Sequence, residues 1–325
     1  MTGLSDAFQR PINYLRISVT DRCNLRCIYC MPEGGVSLVP HDEILRYEEL
    51  LTVARAAASM GINKLRLTGG EPLVRADLTE LVRMLCSIPG MDDVSLTTNG
   101  ILLRRYATEL RQAGLDRVNV SLDTLDRERY RRITRLGRLD DVLEGIEAAK
   151  SAGLEPVKVN MVVMQGINDD EVWDFGRLTM SEGWHVRFIE LMPFAADDHL
   201  GSVPTSEVKE RLHALGPLEP CLPGHGNGPA KYFRFPHATG TVGFISPVTE
   251  HICFNCNRMR LTADGKLRPC LLSDYEVDLK GPLRLGASAE ELKGLIRQAV
   301  AAKPERHHLG EGLQPHARPM GQIGG

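Results

Sequence analysis

Residues 14–30 read YLRISVTDRCNLRCIYC. Their first part, Tyr14 to Val19, alternates side chains with period two and predicts a strand. The strand runs directly into Cys23, Cys27 and Cys30, three thiols with three and then two residues between them. An iron-sulfur cubane asks for four protein ligands, so three thiolates leave one iron for another donor. A zinc knuckle or a disulfide pair is the alternative, and zinc sites usually close with four ligands.

Outward from this stretch a repeat appears. A helix-like segment ends at a glycine, an apolar residue follows, and a β-rich hexamer starts. The instances are Gly61-Ile62 before Lys64 to Thr68, Gly90-Met91 before Val94 to Thr98, Gly114-Leu115 before Val118 to Leu122, Gly153-Leu154 before Val157 to Val162, and Gly183-Trp184 before Val186 to Leu191. With Tyr14 to Val19 that makes six strands, separated by amphipathic helices such as Tyr47 to Met60 and Asp141 to Ala152. Right-handed crossovers and a parallel sheet follow. Six units are too few to close a barrel of eight. The expected fold is α/β, an incomplete (β/α)6 TIM-type barrel with a C-terminal auxiliary cluster domain; a doubly wound open sheet is the alternative. The expected division is 1–215 for the barrel, 216–311 for the auxiliary domain with 216–230 as a linker, and 312–325 for a tail ending in Gly-Gly.

The 325 residues carry a net charge of -3 and a pI near 6.4, which gives no global case for nucleic acid or a membrane surface. No apolar run approaches the roughly 20 residues of a membrane span, and residues 1–13 lack a signal-peptide core. Eight cysteines point to metal before disulfides in a cytoplasmic setting.

Within the strands one parity is apolar, and the other carries Arg16, Ser18, Thr20, Lys64, Arg66, Thr68, Ser95, Thr97, Asn99, Asn119, Ser121, Asp123, Lys158 and Asn160. A packed barrel interior is branched and apolar. Helices must cover the apolar face, so the polar set points into the lumen, which becomes a binding cavity. Val186 to Leu191 is apolar on both parities and leaves its inner face unassigned.

Thr68-Gly69-Gly70-Glu71-Pro72 closes the second strand, where parallel folds bind ligands. Together with Cx3CxxC it resembles the radical S-adenosylmethionine (SAM) superfamily. That resemblance implies a [4Fe-4S] cluster on Cys23, Cys27 and Cys30, with SAM on the open iron. It also implies SAM contacts at Tyr29, Gly70, Asn99, Ser121 and Met192.

Cys253-Phe254-Asn255-Cys256, followed after thirteen residues by Cys270, is a second thiol triad. His251 could complete a Cys3His zinc site there. Against zinc stands Asn257-Arg258-Met259-Arg260, whose alternation puts two guanidiniums on one strand face beside the metal, as suits an anionic ligand. The motifs as a set, with Thr97-Thr98-Asn99-Gly100, Ser121-Leu122-Asp123 and the terminal Gly324-Gly325, resemble the GTP 3',8-cyclase family of molybdenum-cofactor biosynthesis over nearly the whole chain.

The family resemblance implies a second [4Fe-4S] cluster on Cys253, Cys256 and Cys270. It implies GTP contacts at Arg16, Arg66, Thr97, Lys158, Arg258, Met259 and Arg260, and catalytic roles for Arg16, Gly324 and Gly325. The implied reaction cleaves SAM to a 5'-deoxyadenosyl radical, removes the ribose C3' hydrogen of GTP and joins C3' to guanine C8. Partners implied are an electron donor protein, a downstream cyclic pyranopterin monophosphate synthase and a possible homodimer, with no nucleic acid and no membrane. A peptide-modifying radical SAM enzyme and a non-catalytic iron-sulfur or zinc module are the other readings. Arg127 to Arg138 reads as a solvated helix face, Cys86 as a structural thiol, Cys221 as a loop residue, and His307-His308 as solvated tail residues.

Overall fold

The structure, a computed structural model, describes residues 3–192, 199–222, 228–250, 252–307, 309, 318 and 320–323. The six expected strands form as β1 (Tyr14–Ser18), β2 (Lys64–Thr68), β3 (Asp93–Thr98), β4 (Arg117–Ser121), β5 (Lys158–Val163) and β6 (His185–Glu190). All successive pairs are parallel. The connections hold α1 (Tyr47–Ala58), α2 (Leu78–Cys86), α3 (Leu103–Gln112), α4 (Arg127–Thr134), α5 (Leu139–Ser151) and α6 (Val172–Ser181). Gly61, Gly90, Gly114, Gly153 and Gly183, read from sequence as helix stops, all have positive φ.

Beyond β6 the chain forms α7 (Thr205–Leu212), then β7 (Glu219–Pro220), β8 (Lys231–Arg234), β9 (Thr241–Ile245), β10 (Arg258–Leu261), β11 (Lys266–Arg268) and β12 (Val277–Asp278). It finishes with α8 (Lys280–Arg284), α9 (Ala289–Ala301) and α10 (Met320–Ile323). Residues 216–230 were expected to be a linker, yet they include β7, which pairs antiparallel with β8.

The sheet order is β12-β11-β10-β1-β2-β3-β4-β5-β6-β9-β8-β7. β1 to β6 sit in chain order, which is the winding of a barrel; a doubly wound sheet reverses direction at a switch point. The C-terminal region then adds a parallel strand at each edge, β10 beside β1 and β9 beside β6. Among the described residues β9 and β10 do not pair, so the barrel stays open between them.

The apolar parity faces outward as expected. Leu15, Ile17, Leu65, Leu67, Leu96, Val118, Val120, Val159, Met161, Val186 and Phe188 are buried in one core with Leu50 and Val53 of α1, Leu81 of α2, Leu110 of α3 and Ile146 of α5. Burying such side chains contributes about 1.5–3 kcal/mol each. It leaves the opposite parity for the lumen. Among the described residues no helix is long and apolar enough to cross a membrane.

Candidate active site

Parallel strands end together, so the loops after β1 to β6 gather at one mouth. The loop after β1 carries the first triad. Arg26 and Ile28 donate their backbone N–H groups to the carbonyls of Thr134 and Ile133, both at 3.0 Å, which docks the loop on the end of α4. Gly70 N donates to Thr20 O and Glu71 N to Arg22 O, both at 2.8 Å. A Cβ on Gly70 would stand 2.4 Å from the Arg22 carbonyl oxygen. The glycine therefore allows the loop after β2 to lie directly on the backbone of the cysteine loop.

Glu71 is the buried brace of that arrangement. Its carboxylate accepts from Leu73 N at 3.0 Å, Thr98 Oγ1 at 2.8 Å and Asn99 N at 2.6 Å. Burial nonetheless raises its pKa to about 7. Asn99 reaches across to Asn24 Oδ1 at 2.7 Å. On the other side Tyr29 donates to Asp123 Oδ2 at 2.8 Å, while Asp123 Oδ1 accepts from Val162 N at 2.9 Å. The cysteine loop is thus tied to β2, β3, β4 and β5 by side chains alone.

All six motif cysteines are free thiols and line one cavity. Among the described residues no three His, Cys, Asp or Glu side chains gather as around a single metal ion. Thiols spread around a cavity suit a larger group such as a cluster. Burial raises the Cys27 thiol well above its ordinary value, with Cys30 and Asp123 adding to the rise, and pushes Cys30 to about 12. Crowded, desolvated thiols of this kind call for a positively charged iron centre to hold them ionised.

The lumen behind them is cationic. The register places Arg16 opposite Arg66 on one side and Arg260 on the other. Burial lowers the pKa of Arg16, and Arg260, Arg66 and Arg258 lower it further; Arg260 falls to about 10 through burial and then Arg258. Arg187 joins them from β6, donating to Asn119 Oδ1 at 2.6 Å while its Nε finds no hydrogen-bond partner. Thr97 Oγ1, Tyr14 OH and Asn160 Oδ1 are likewise buried with none. Like charges pressed together away from water are unfavourable alone, and an oligoanion would satisfy them.

The second triad closes the cavity from the far side. Arg258 and Arg260 face inward from β10 as alternation required, and Cys253, Cys256 and Cys270 lie beside them. Burial opposes the Cys256 thiolate, but Arg258 and Lys303 outweigh it and bring the thiol to about 6. His307, read from sequence as a solvated tail residue, is only 6% exposed and lines the cavity. The chain after α9 folds back over the second triad, a long-range packing that local composition does not reveal. His251 and His308 lie outside the described residues.

Of the sequence-derived site residues, Arg16, Tyr29, Arg66, Gly70, Thr97, Asn99, Ser121, Met192, Arg258 and Arg260 line this cavity with the six cysteines. Met259 has the opposite parity and its side chain is buried in the outer core. Lys158 lines a second cavity at the starts of β5, β6 and β9, with Trp184, His185 and Tyr232. Its ammonium lies 3.4 Å from Tyr232 OH, and burial with Arg187, Arg117 and Arg66 lowers its pKa to about 7. Gly324 and Gly325 lie outside the described residues, but Met320 and Gly321 of α10 line the main cavity. Arg187, Glu71 and His307 escaped the sequence reading; only Glu71 carried a signal, as part of the GGEP turn.

Comparison with known proteins separates the readings. A model of the radical SAM superfamily matches residues 17–179, and one described as Molybdenum Cofactor Synthesis C matches residues 184–309. The GTP 3',8-cyclase of Pelotomaculum thermopropionicum is 56% identical over 326 residues, covering 99% of this chain and 100% of that protein. The enzyme of the same name from Moorella thermoacetica is 56% identical over 325 residues, covering 99% and 100%. Among solved structures, Streptococcus suis SuiB bound to precursor peptide SuiA aligns with a TM-score of 0.62 at 13% identity, covering 89% of this chain and 68% of that one. The sulfatase-maturase structure named anSMEcpe with bound AdoMet aligns with a TM-score of 0.57 at 16% identity, covering 82% and 74%. At such identities the solved structures speak for the fold alone. With both family models matched and whole-length identity above half, the chain belongs to the GTP 3',8-cyclase family of the radical SAM superfamily.

Proposed function

We propose that the protein converts GTP to (8S)-3',8-cyclo-7,8-dihydroguanosine 5'-triphosphate, the first step of molybdenum-cofactor biosynthesis, using SAM and two [4Fe-4S] clusters. The observation that carries this reading is one cavity bounded by two thiol triads, with buried arginines between them. Cys23, Cys27 and Cys30 would hold the first cluster, and Cys253, Cys256 and Cys270 the second. When bound, the first cluster and SAM supply reductive cleavage of the sulfonium and removal of the C3' hydrogen.

The chain's own part is binding, orientation and exclusion of water. Gly70, Asn99, Ser121, Tyr29 and Met192 sit at the strand ends nearest the first triad and form the SAM site. Arg16, Arg66, Thr97, Arg258 and Arg260, with the backbone at Met259, form the GTP site, and their mutual repulsion favours a triphosphate. Lys158 belongs to that site through its nearness to Arg66 and Arg187, at the end of the lumen remote from the thiols. Arg16 stands between Arg66 and Arg260 in register, where a substrate held by the others would meet it, which supports its catalytic assignment. The catalytic assignment of Gly324 and Gly325 draws support from Met320 and Gly321, which already reach the cavity. The boundaries 1–215, 216–311 and 312–325 describe the working parts: barrel, auxiliary cluster unit and tail. An electron donor protein, the downstream synthase, a homodimer and a cytoplasmic setting complete the proposal on the strength of the family.

The test is anaerobic reconstitution with iron, sulfide, SAM, GTP and a strong reductant. The cyclised triphosphate and 5'-deoxyadenosine are expected together in equal amounts. 5'-Deoxyadenosine without any guanosine-derived product would overturn the assignment.

A further inference from the structure

The second triad is assembled from two limbs that sequence keeps apart: Cys253 and Cys256 precede β10, while Cys270 follows β11. One buried ammonium joins them. Lys303, just past the end of α9, is 3% exposed. Its Nζ donates to the carbonyl of Arg258, two residues after Cys256, at 2.8 Å and to the carbonyl of Pro269, next to Cys270, at 2.7 Å. It also hydrogen-bonds the Cys256 thiol.

The same segment is anchored from the opposite end of the chain. Arg10 donates through Nη1 to the Cys253 carbonyl at 2.8 Å and the Glu305 carbonyl at 2.7 Å, and through Nη2 to the Pro304 carbonyl at 2.6 Å. Its Nε is paired with Asp6 at 2.5 Å. Residues 303–305 thus form a strap across the triad, held to the Cys253 limb by Arg10 and to the other two cysteines by Lys303. The two cations differ in one respect: Arg10 has a carboxylate, whereas among the described residues the hydrogen bonds of Lys303 go only to carbonyls and a thiol. A buried ammonium without a carboxylate is unfavourable unless an anionic group lies against it. Cysteine thiolates on an iron cluster are such a group, and a fixed charge beside a cluster sets its reduction potential.

We propose that Lys303 is a positioning residue for the second cluster: its ammonium fixes the spacing between the Cys256 and Cys270 limbs and holds one positive charge against the ligand set, keeping the cluster's potential high. Arg10 anchors the strap. This inference rests on the reading that the triad holds a cluster.

The test compares the reconstituted full-length enzyme with K303M and K303R. The readouts are iron content and redox titration followed by electron paramagnetic resonance, with the second cluster's signal assigned from its absence in C256S. In K303M the reduced-to-oxidised ratio of the second cluster at the wild-type midpoint is expected to fall about tenfold, a shift of about 59 mV to lower potential. The first cluster's midpoint and SAM cleavage without GTP are expected to stay unchanged. K303R, which keeps the charge, is expected to recover most of the shift. An unchanged second midpoint in K303M with full iron content would overturn the proposal. Loss of the second cluster from K303M alone, with iron retained in K303R, would support it; equal loss from both, in protein that still cleaves SAM, would overturn the charge assignment. Wild-type enzyme carrying four irons and one zinc would instead refute the cluster reading itself.

Discussion

The two thiol triads face each other across one cavity and are built in opposite ways. Cys23, Cys27 and Cys30 share a single loop, their thiols crowd each other and Asp123, and burial drives Cys27 and Cys30 upward. Cys253, Cys256 and Cys270 come from two separated segments among Arg10, Arg258 and Lys303, and Cys256 is drawn down to about 6 against its burial. A compact motif can hold its ligands together by chain connectivity alone. A dispersed one needs tertiary clamps, and here those clamps are cations. The first triad sits among carboxylates and the amide contacts of the strand ends; the second sits among positive charges facing an anionic substrate site. The division of labour proposed above follows that polarity: SAM chemistry at the first, substrate holding at the second.

The sharpest break of this symmetry is a pair of substitutions. C27S is expected to abolish SAM cleavage altogether. C256S is expected to leave cleavage to 5'-deoxyadenosine but to yield no cyclised triphosphate, both read by chromatography under strong reductant. Equal loss of SAM cleavage in the two variants would erase the distinction between the triads.

Removing Gly324 and Gly325 is expected to preserve both clusters and SAM cleavage while most cyclised product disappears. Full cyclase activity after truncation would confine the tail's role to Met320 and Gly321.

Arg187 sharpens the substrate side. A buried guanidinium bonded to a charged group contributes about 1.5–3 kcal/mol, so R187L is expected to weaken GTP binding roughly 10- to 100-fold with SAM cleavage retained. Calorimetric titration of the reconstituted variant measures this, and unchanged affinity would remove Arg187 from the site.

The smallest effect concerns Glu71, which braces the loops around the first triad. Its folded pKa of about 7 stands above the ordinary value of 4.5 because of burial. The folded protein therefore binds that proton more tightly than the unfolded chain. As pH rises from about 4.5 to 7, this group withdraws stability on the order of 3 kcal/mol, and below 4.5 or above 7 it adds no slope. Urea unfolding at pH 5 and pH 8 is expected to show a larger loss for the wild type than for E71Q. Parallel pH dependences would mean that Glu71 is not protonated in the fold.

The same contrast explains what was legible in the sequence. The first triad, its strand and the five glycine-to-strand repeats are local patterns, and they reappear within a residue or two as β1 to β6. Arg16, Arg66, Arg258 and Arg260 could be placed because period-two alternation needs no tertiary information. β9 and β10 are strands of five and four residues whose partners lie at the two edges of a sheet formed earlier in the chain. Nothing local marks such a pairing. Arg187 was hidden because Ile189 and Leu191 share its inward parity, so that face of β6 looked apolar. His307 and Lys303 follow α9 in a stretch that reads as an ordinary exit from a helix, and only the return of the chain over the second triad gives them partners.

The central claim is that both triads hold cubane clusters on one cavity. Metal analysis of anaerobically purified and reconstituted protein tests it most directly. About eight irons per chain and no zinc are expected, as two cubanes require; four irons with one zinc would contradict the claim.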